Sequence, residues 1–283
     1  MGIFGGERAL MGGENGKADI LTQRDASTDV EKWISHHDAA DIFSGGFWND
    51  EEVERAKQWW VTDGDTQSLT THIEALGVYE AFAAATEALR SAGKLRGRVL
   101  DAGAGTCCSA ALWSRLSEIE HVDAVEFSWH RISLLAGPTI AALNGRPEKI
   151  SRIFGSFTDI HRPDGSYEIA TMTAAFHHCS EPELLISELD RCLSPGGVIV
   201  LMGEEPVGRL AILRRFAADL LKRRRFHCSF EALFPPHPQI GDHYYRFKDY
   251  RRLFNAAGYD VRFLSVGNSD VVIVATRQTQ HGR

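Results

Sequence analysis

The sequence predicts a doubly wound α/β fold on a mainly parallel sheet, and three observations carry that prediction. Short apolar runs at 98–101, 122–126, 150–154, 169–173 and 198–202 alternate with longer stretches of helical periodicity. The first run passes directly into a glycine turn and then a helix: Gly97 to Trp113 reads G-R-V-L-D-A-G-A-G-T-C-C-S-A-A-L-W. The last run follows the helix Leu184–Leu193 through Ser194-Pro195-Gly196-Gly197, which reads as a tight turn delivering the fifth strand. Such alternation implies parallel strands joined by right-handed crossovers, with ligands bound beyond the strands' carboxyl ends.

In chain order, residues 1–29 are glycine-rich and polar without periodicity and read as a flexible leader. The stretch that follows is unusually aromatic, with Trp33, His36, His37, Phe43, Phe47, Trp48, Trp59 and Trp60. Asp50, Glu51 and Glu52 suit a helix start, since acidic groups favour its positive end. A second helix is expected over 68–90, where Leu69, Ile73, Leu76, Phe82 and Leu89 fall near one face. Residues 30–94 are therefore expected to form an N-terminal helical cap, and 95–283 the α/β core, with 206–247 inserted over its ligand-binding end. Within that insertion, 210–225 is amphipathic and basic through Arg214, Arg215, Lys222, Arg223, Arg224 and Arg225. Its plain reading is a solvated helix face; the functional alternative is pairing with an anionic acceptor. F-P-P-H-P at 234–238 is a rigid loop, and a helix is expected near 248–257.

An apolar share of 43% with 10% aromatic residues supplies a real core, which excludes wholesale disorder. The net charge of −7 counts against non-specific nucleic-acid binding. Cys107, Cys108, Cys179, Cys192 and Cys228 form no C-x-x-C pair and no zinc spacing, and read as small buried residues in a reducing cytoplasm. No apolar run approaches the roughly 20 residues of a membrane span, so no membrane contact is expected. No helical H-x-x-x-H or carboxylate cluster stands out, so no metal is expected.

The glycine turn lacks the third glycine of a dinucleotide fingerprint, having Cys108 there, and Asp101 stands just before Gly103. A carboxylate there repels a pyrophosphate but attracts an ammonium. Glu126 ends the second run at the spacing where an acidic residue takes a ribose diol. S-adenosylmethionine, with adenosine at one end and a cationic amino acid at the other, satisfies both.

V-L-D-A-G-A-G-T resembles the first motif of class I S-adenosylmethionine-dependent methyltransferases, which are Rossmann-like. The resemblance continues through Glu126, G-S-F-T-D-I at 155–160, A-A-F-H-H at 174–178 and L-D-R-C-L-S-P-G-G-V-I-V at 189–200. It covers about 95–205 well and the first 90 residues hardly at all. By resemblance, Asp101, Gly103 and Gly105 hold the methionine part and Glu126 the ribose, with Phe127 also in the cofactor set. Ser156, Phe157 and Thr173 complete the cofactor set, Ser156 and Phe157 contacting adenine; many relatives carry an acid where Ser156 stands, with Asp159 a fallback. The family's sheet closes on an antiparallel hairpin, which 261–266 and 270–276 resemble. The aromatic segment before the core lies where relatives carry a lid, and ring faces attract a sulfonium.

Methyl transfer is an in-line displacement in which the cofactor brings the electrophile, so the protein mainly positions the acceptor. The expected reaction is metal-independent transfer to a small-molecule oxygen or nitrogen nucleophile, releasing S-adenosylhomocysteine (SAH). His177, His178, Glu204 and Glu205 are candidate bases after strand ends, and Asp242, His243, Tyr244 and Tyr245, within G-D-H-Y-Y at 241–245, are candidate acceptor contacts. His36 and His37 read as surface residues. The alternative keeps the cofactor but attacks its aminocarboxypropyl group, as a cyclase, lyase or transferase releasing methylthioadenosine. The sequence is compatible with a homodimer without requiring one. The absence of an N/D-P-P-Y/F motif after the fourth run counts against base methylation.

Overall fold

A computed structural model describes residues 23–25, 29–42, 65–222, 229–237, 241–266 and 270–278. The described strands are β1 (Gln23–Asp25), β2 (Val30–Lys32), β3 (Gly97–Ala102), β4 (Ile119–Glu126), β5 (Ile150–Phe154), β6 (Tyr167–Thr173), β7 (Leu193–Glu204), β8 (Tyr259–Val266) and β9 (Asp270–Arg277). They form one sheet in the order β1-β2-β5-β4-β3-β6-β7-β9-β8. From β2 to β7 every pairing is parallel, and β9 and β8 close the far edge antiparallel, as the resemblance implied. The chain winds outward from β3 to β5 and then reverses from β3 to β7, so the glycine turn lies at the topological switch point.

The helices are α1 (His36–Ile42), α2 (Thr66–Ala75), α3 (Val78–Ser91), α4 (Cys108–Ser114), α5 (Ala136–Ala142), α6 (Pro182–Cys192), α7 (Arg209–Lys222), α8 (Phe230–Leu233) and α9 (Phe247–Ala256). The central strands are apolar on both faces because helices cover both: Val198 to Met202 are all buried. One core layer joins α2 to α5 to the sheet around Trp113; the other joins α6 and α9 around Phe176, Phe254 and Tyr259. α9 starts on Arg246, whose backbone N–H and guanidinium both donate to Asp249, at 2.8 and 2.6 Å.

Several expectations are corrected. The helix expected over 68–90 is two: Gly77, at φ 65°, takes a left-handed turn between α2 and α3. Asp65 caps α2, accepting from the Ser68 backbone at 3.0 Å and its hydroxyl at 2.7 Å. Residues 30–32, expected in a helical cap, form a strand on β5, and 23–25, expected in a leader, pair with it. The extension is fixed by charge, since Arg162 donates to both oxygens of Glu31, at 2.9 and 2.8 Å, and to Asp123 at 3.0 Å. Trp33 is buried beneath Arg162 in the sheet's core instead of lying over a ligand. Ser194-Pro195-Gly196-Gly197 lies within β7, where the β6 pairing shifts register. α7 is described over Arg209–Lys222, and Leu213 and Leu221 are exposed on it. Phe43, Phe47, Trp48, Asp50–Glu52, Trp59, Trp60, Arg223–Arg225 and Cys228 lie outside the described residues.

Candidate active site

Asp101 ends β3 and is completely buried. Its Oδ2 accepts the Ser109 hydroxyl at 2.6 Å, while Oδ1 has no partner of hydrogen-bonding geometry. Burial pushes its pKa up to about 7; Ser109 and the Ala110 amide pull it down, and the charge of Glu126 pushes it further up. A buried carboxylate with an orphaned oxygen calls for a cation, because an ion taken out of water without a partner is costly to leave bare.

Past it the chain must double back in little room. Gly103 has φ 74°, and a Cβ there would lie 2.9 Å from Ala175 Cβ and 3.5 Å from Phe157, so neither the conformation nor the space admits a side chain. Gly103 and Ala104 donate backbone hydrogen bonds to Val125. Glu126, buried at the end of β4, accepts from Gly105 N and Ser128 N, each at 2.8 Å, which ties the turn to the next strand. Ser156 is buried and hydrogen-bonded to Thr158 at 2.8 Å; Phe157 packs toward Gly103. Phe127 packs against the core layer around Trp113, and Phe157 against the other. Asp159 is exposed and pairs with His161 at 3.2 Å.

A cavity of about 860 Å³ opens beyond β6 and β7. Thr173, His177, Glu204, Asp242, His243, Tyr244 and Tyr245, all singled out in the sequence, line it together with Tyr250. Ala174 lies in its wall and Ala175 against Gly103, so the cavity and the glycine turn abut along one dipeptide. Ala174 holds a left-handed φ of 48° that a non-glycine residue adopts at a cost, with its N–H fixed to Met202 O at 2.8 Å.

Glu204 does not have a base's freedom. It is fully buried, and its oxygens accept from Phe176 N at 3.2 Å and Tyr250 OH at 2.7 Å and contact His177 Nδ1 at 3.2–3.3 Å. It orients His177. Burial alone would lower the His177 pKa, but the Glu204 hydrogen bond and the charges of Glu204, Asp242 and Glu205 outweigh it and raise it. His178 is the reverse case: burial, then the charges of His177, Arg131 and His243, press it down to about 3. The two rings stand 4.3 Å apart, and His178 Nδ1 lies 2.8 Å from Asp242 Oδ1. Thr173 Oγ1 has no hydrogen-bond partner among the described residues. Tyr244 sits at the rim, 40% exposed, against Phe234. His36 and His37 are exposed, as expected.

Linear spacing predicted no metal ligands, yet ligating atoms of His177, His178 and Asp242 lie within 4.8 Å of one another. Folding brings Asp242 to the histidine pair from a loop far along the chain, beyond β7 and α7. Ser109 and Tyr250, which hold Asp101 and Glu204, were also not picked out from sequence; nothing in their local pattern marks them.

Residues 100–201 match the family profile of a methyltransferase domain. This stretch carries a methyltransferase domain. The matched residues span β3 to β7 and contain every cofactor residue expected from sequence. Among solved structures, the methyltransferase is similar to DhpI in its SAH complex, with 14% identity, 87% of this chain and 100% of that chain covered, and a TM-score of 0.57. It is also similar to magnesium protoporphyrin IX methyltransferase (ChlM) from Synechocystis PCC 6803 with bound SAH, with 14% identity, 84% and 100% covered, and a TM-score of 0.54. At that identity the likeness is one of fold. No curated protein matches the sequence. No helix among the described residues is long and apolar enough to cross a membrane.

The residues present fit the cofactor of this family. The orphaned Oδ1 of Asp101 suits its ammonium, and the side-chain-free turn at Gly103 admits close backbone approach. Asp101 would hold the amino acid part, Glu126 the ribose hydroxyls, and Ser156 and Phe157 the adenine.

Proposed function

We propose that this methyltransferase transfers a methyl group from S-adenosylmethionine to the oxygen or nitrogen of a small molecule bound in the 860 Å³ cavity. The observation that carries this reading is the contact between cavity and glycine turn at Ala174–Ala175, which puts an acceptor beside the cofactor's methionine end. The cofactor supplies the electrophilic methyl; the protein orients the acceptor, excludes water and takes up its proton. His177, held by Glu204 at the cavity wall, is the group placed for that proton.

The cavity wall selects the acceptor class. Phe234, Tyr244, Tyr245, Phe247 and Tyr250 give it an aromatic face, and Glu204, Glu205 and Asp242 give it carboxylates. Among the described residues no lysine or arginine lines it, which favours a neutral acceptor with an apolar body over an anionic one. Among the described residues of the basic helix α7, Ala211 is the one in this wall. We place the protein in the cytoplasm, where Cys107, Cys108, Cys179 and Cys192 stay unpaired as they are here.

The test is mass spectrometry of the purified protein with S-adenosylmethionine, first alone and then with pooled small-molecule extracts. Alone, the cofactor should return intact; with the extract, SAH should accumulate alongside a product heavier by one methyl. Methylthioadenosine with a C4 amino-acid product would replace this reading by aminocarboxypropyl chemistry, which nothing in the site favours.

Cofactor binding should also depend on pH through Asp101. With a pKa near 7 in the free protein, lowered once an ammonium sits beside it, binding strengthens as Asp101 ionises. SAH affinity measured by calorimetry should therefore fall on the order of tenfold from pH 7.5 to 5.5, since each pH unit below the free pKa costs about a factor of ten. A flat profile would show that Asp101 does not face the ammonium.

A further inference from the structure

We propose that His177, His178 and Asp242 form a binding site for one divalent first-row transition-metal ion of the zinc class, set in the wall of the acceptor cavity. Two imidazoles and one carboxylate are the donor set such ions take. The spacing suits them. With bonds of about 2.0–2.2 Å, neighbouring ligands on one ion stand roughly 3 Å apart, and His178 Nδ1 and Asp242 Oδ1 are already 2.8 Å apart. All three ligand atoms lie within 4.8 Å, so an adjustment of about 1.5 Å completes the set.

Two features distinguish this group from an ordinary ion pair. Glu204 contacts His177 at Nδ1 and is itself fixed by Phe176 N and Tyr250 OH, which leaves Nε2 of His177 for an ion. A carboxylate holding the far nitrogen of a ligating imidazole is the outer arrangement metal-binding histidines use. The backbone is fixed as well: His243 N donates to His177 O at 2.8 Å, pinning the Asp242 loop to the histidine pair. His177 and Asp242 also line the cavity, so an ion held between them would turn its remaining coordination positions toward the acceptor.

Its role there rests on the methyltransferase reading of the cavity. With Nε2 of His177 on the ion, that ring would hold the ion in place of taking the acceptor's proton, and an acceptor hydroxyl bound to the ion would release its proton to water more readily. The oxygen–methyl bond then forms as the sulfur–methyl bond breaks. The sulfonium leaves as a neutral thioether, and one proton is released per turnover.

The experiment uses the untagged full-length protein, dialysed against chelator and titrated with Co²⁺ by visible absorption, with Zn²⁺ as competitor and SAH binding measured in parallel by calorimetry. One Co²⁺ per chain is expected, displaced by Zn²⁺. The signal should be lost in Asp242→Asn and in His178→Gln, and weakened by about 10–100-fold in Glu204→Gln. Retained SAH binding shows that each variant is folded, and the wild-type titration decides by itself whether an ion binds. No Co²⁺ spectrum in the wild type, or unchanged affinity in both ligand variants, overturns the site. SAH binding without Co²⁺ removes the ion and leaves the transferase reading standing; Co²⁺ binding without SAH does the opposite.

Discussion

Asp101→Ala should abolish measurable SAH binding, a loss of at least about 100-fold. The physical ground is the asymmetry of buried charge: removing one partner of a buried pair costs about 3–5 kcal/mol, because the other is left uncompensated. In the complex the stranded group would be the cofactor's ammonium. The free protein should respond differently. Asp101 is buried with one oxygen orphaned, so the carboxylate is a burden until a cation arrives. Asp101→Asn, which keeps an acceptor for the Ser109 hydroxyl, should bind SAH as poorly as the alanine variant while unfolding at the same or higher denaturant concentration. Micromolar SAH affinity in either variant would remove Asp101 from the cofactor site. A matching fall in stability would mean that it serves the fold instead.

Arg162→Ala should cost about 3 kcal/mol of folding stability in denaturant titration. Arg162 bridges Glu31 on β2 and Asp123 on β4, and both carboxylates are nearly buried, with side chains 10% and 1% exposed. Burial works against the charge on Asp123, but hydrogen bonds from His121, Tyr167 and Arg162 hold its pKa well below the usual carboxylate range. Without Arg162, Asp123 keeps Tyr167, His121 and Arg98, at 2.7, 3.2 and 3.6 Å, whereas Glu31 falls back on the Trp33 indole at 2.9 Å. The loss should therefore appear first as release of β1 and β2, detected by hydrogen exchange at 30–32, before global unfolding. A change under about 1 kcal/mol would show that the bridge is incidental to the sheet extension. The effect on SAH binding should be small, because β5 and β4 separate β2 from β3 and its glycine turn.

The two substitutions separate what the sequence by itself determined from what it did not. The five core strands, the glycine turn and the acids at the ends of β3 and β4 were legible because each is a local signal: a run of apolar residues, a position that must turn without a side chain, a carboxylate at a strand's end. Even the break in the helix expected over 68–90 had its signal, Gly77, outweighed there by the apolar stripe around it. The site beyond the cofactor residues was legible in part: His177, Glu204 and the 242–245 cluster were picked out and line the cavity, but the groups that hold them were not. Glu204 reads in sequence as a free acid after a strand, and only the approach of Tyr250 and Phe176 occupies it. Asp242 reads as one of four consecutive polar and aromatic groups facing the pocket, and only the fold sets it against His177 and His178. The extension of the sheet by β2 depends on Glu31 meeting Arg162, 131 residues away. Sequence pattern reports what a residue needs from its neighbours along the chain. Which distant group answers a buried charge is settled when the sheet is assembled, because in a low-dielectric interior that charge must be met by whatever the topology brings beside it.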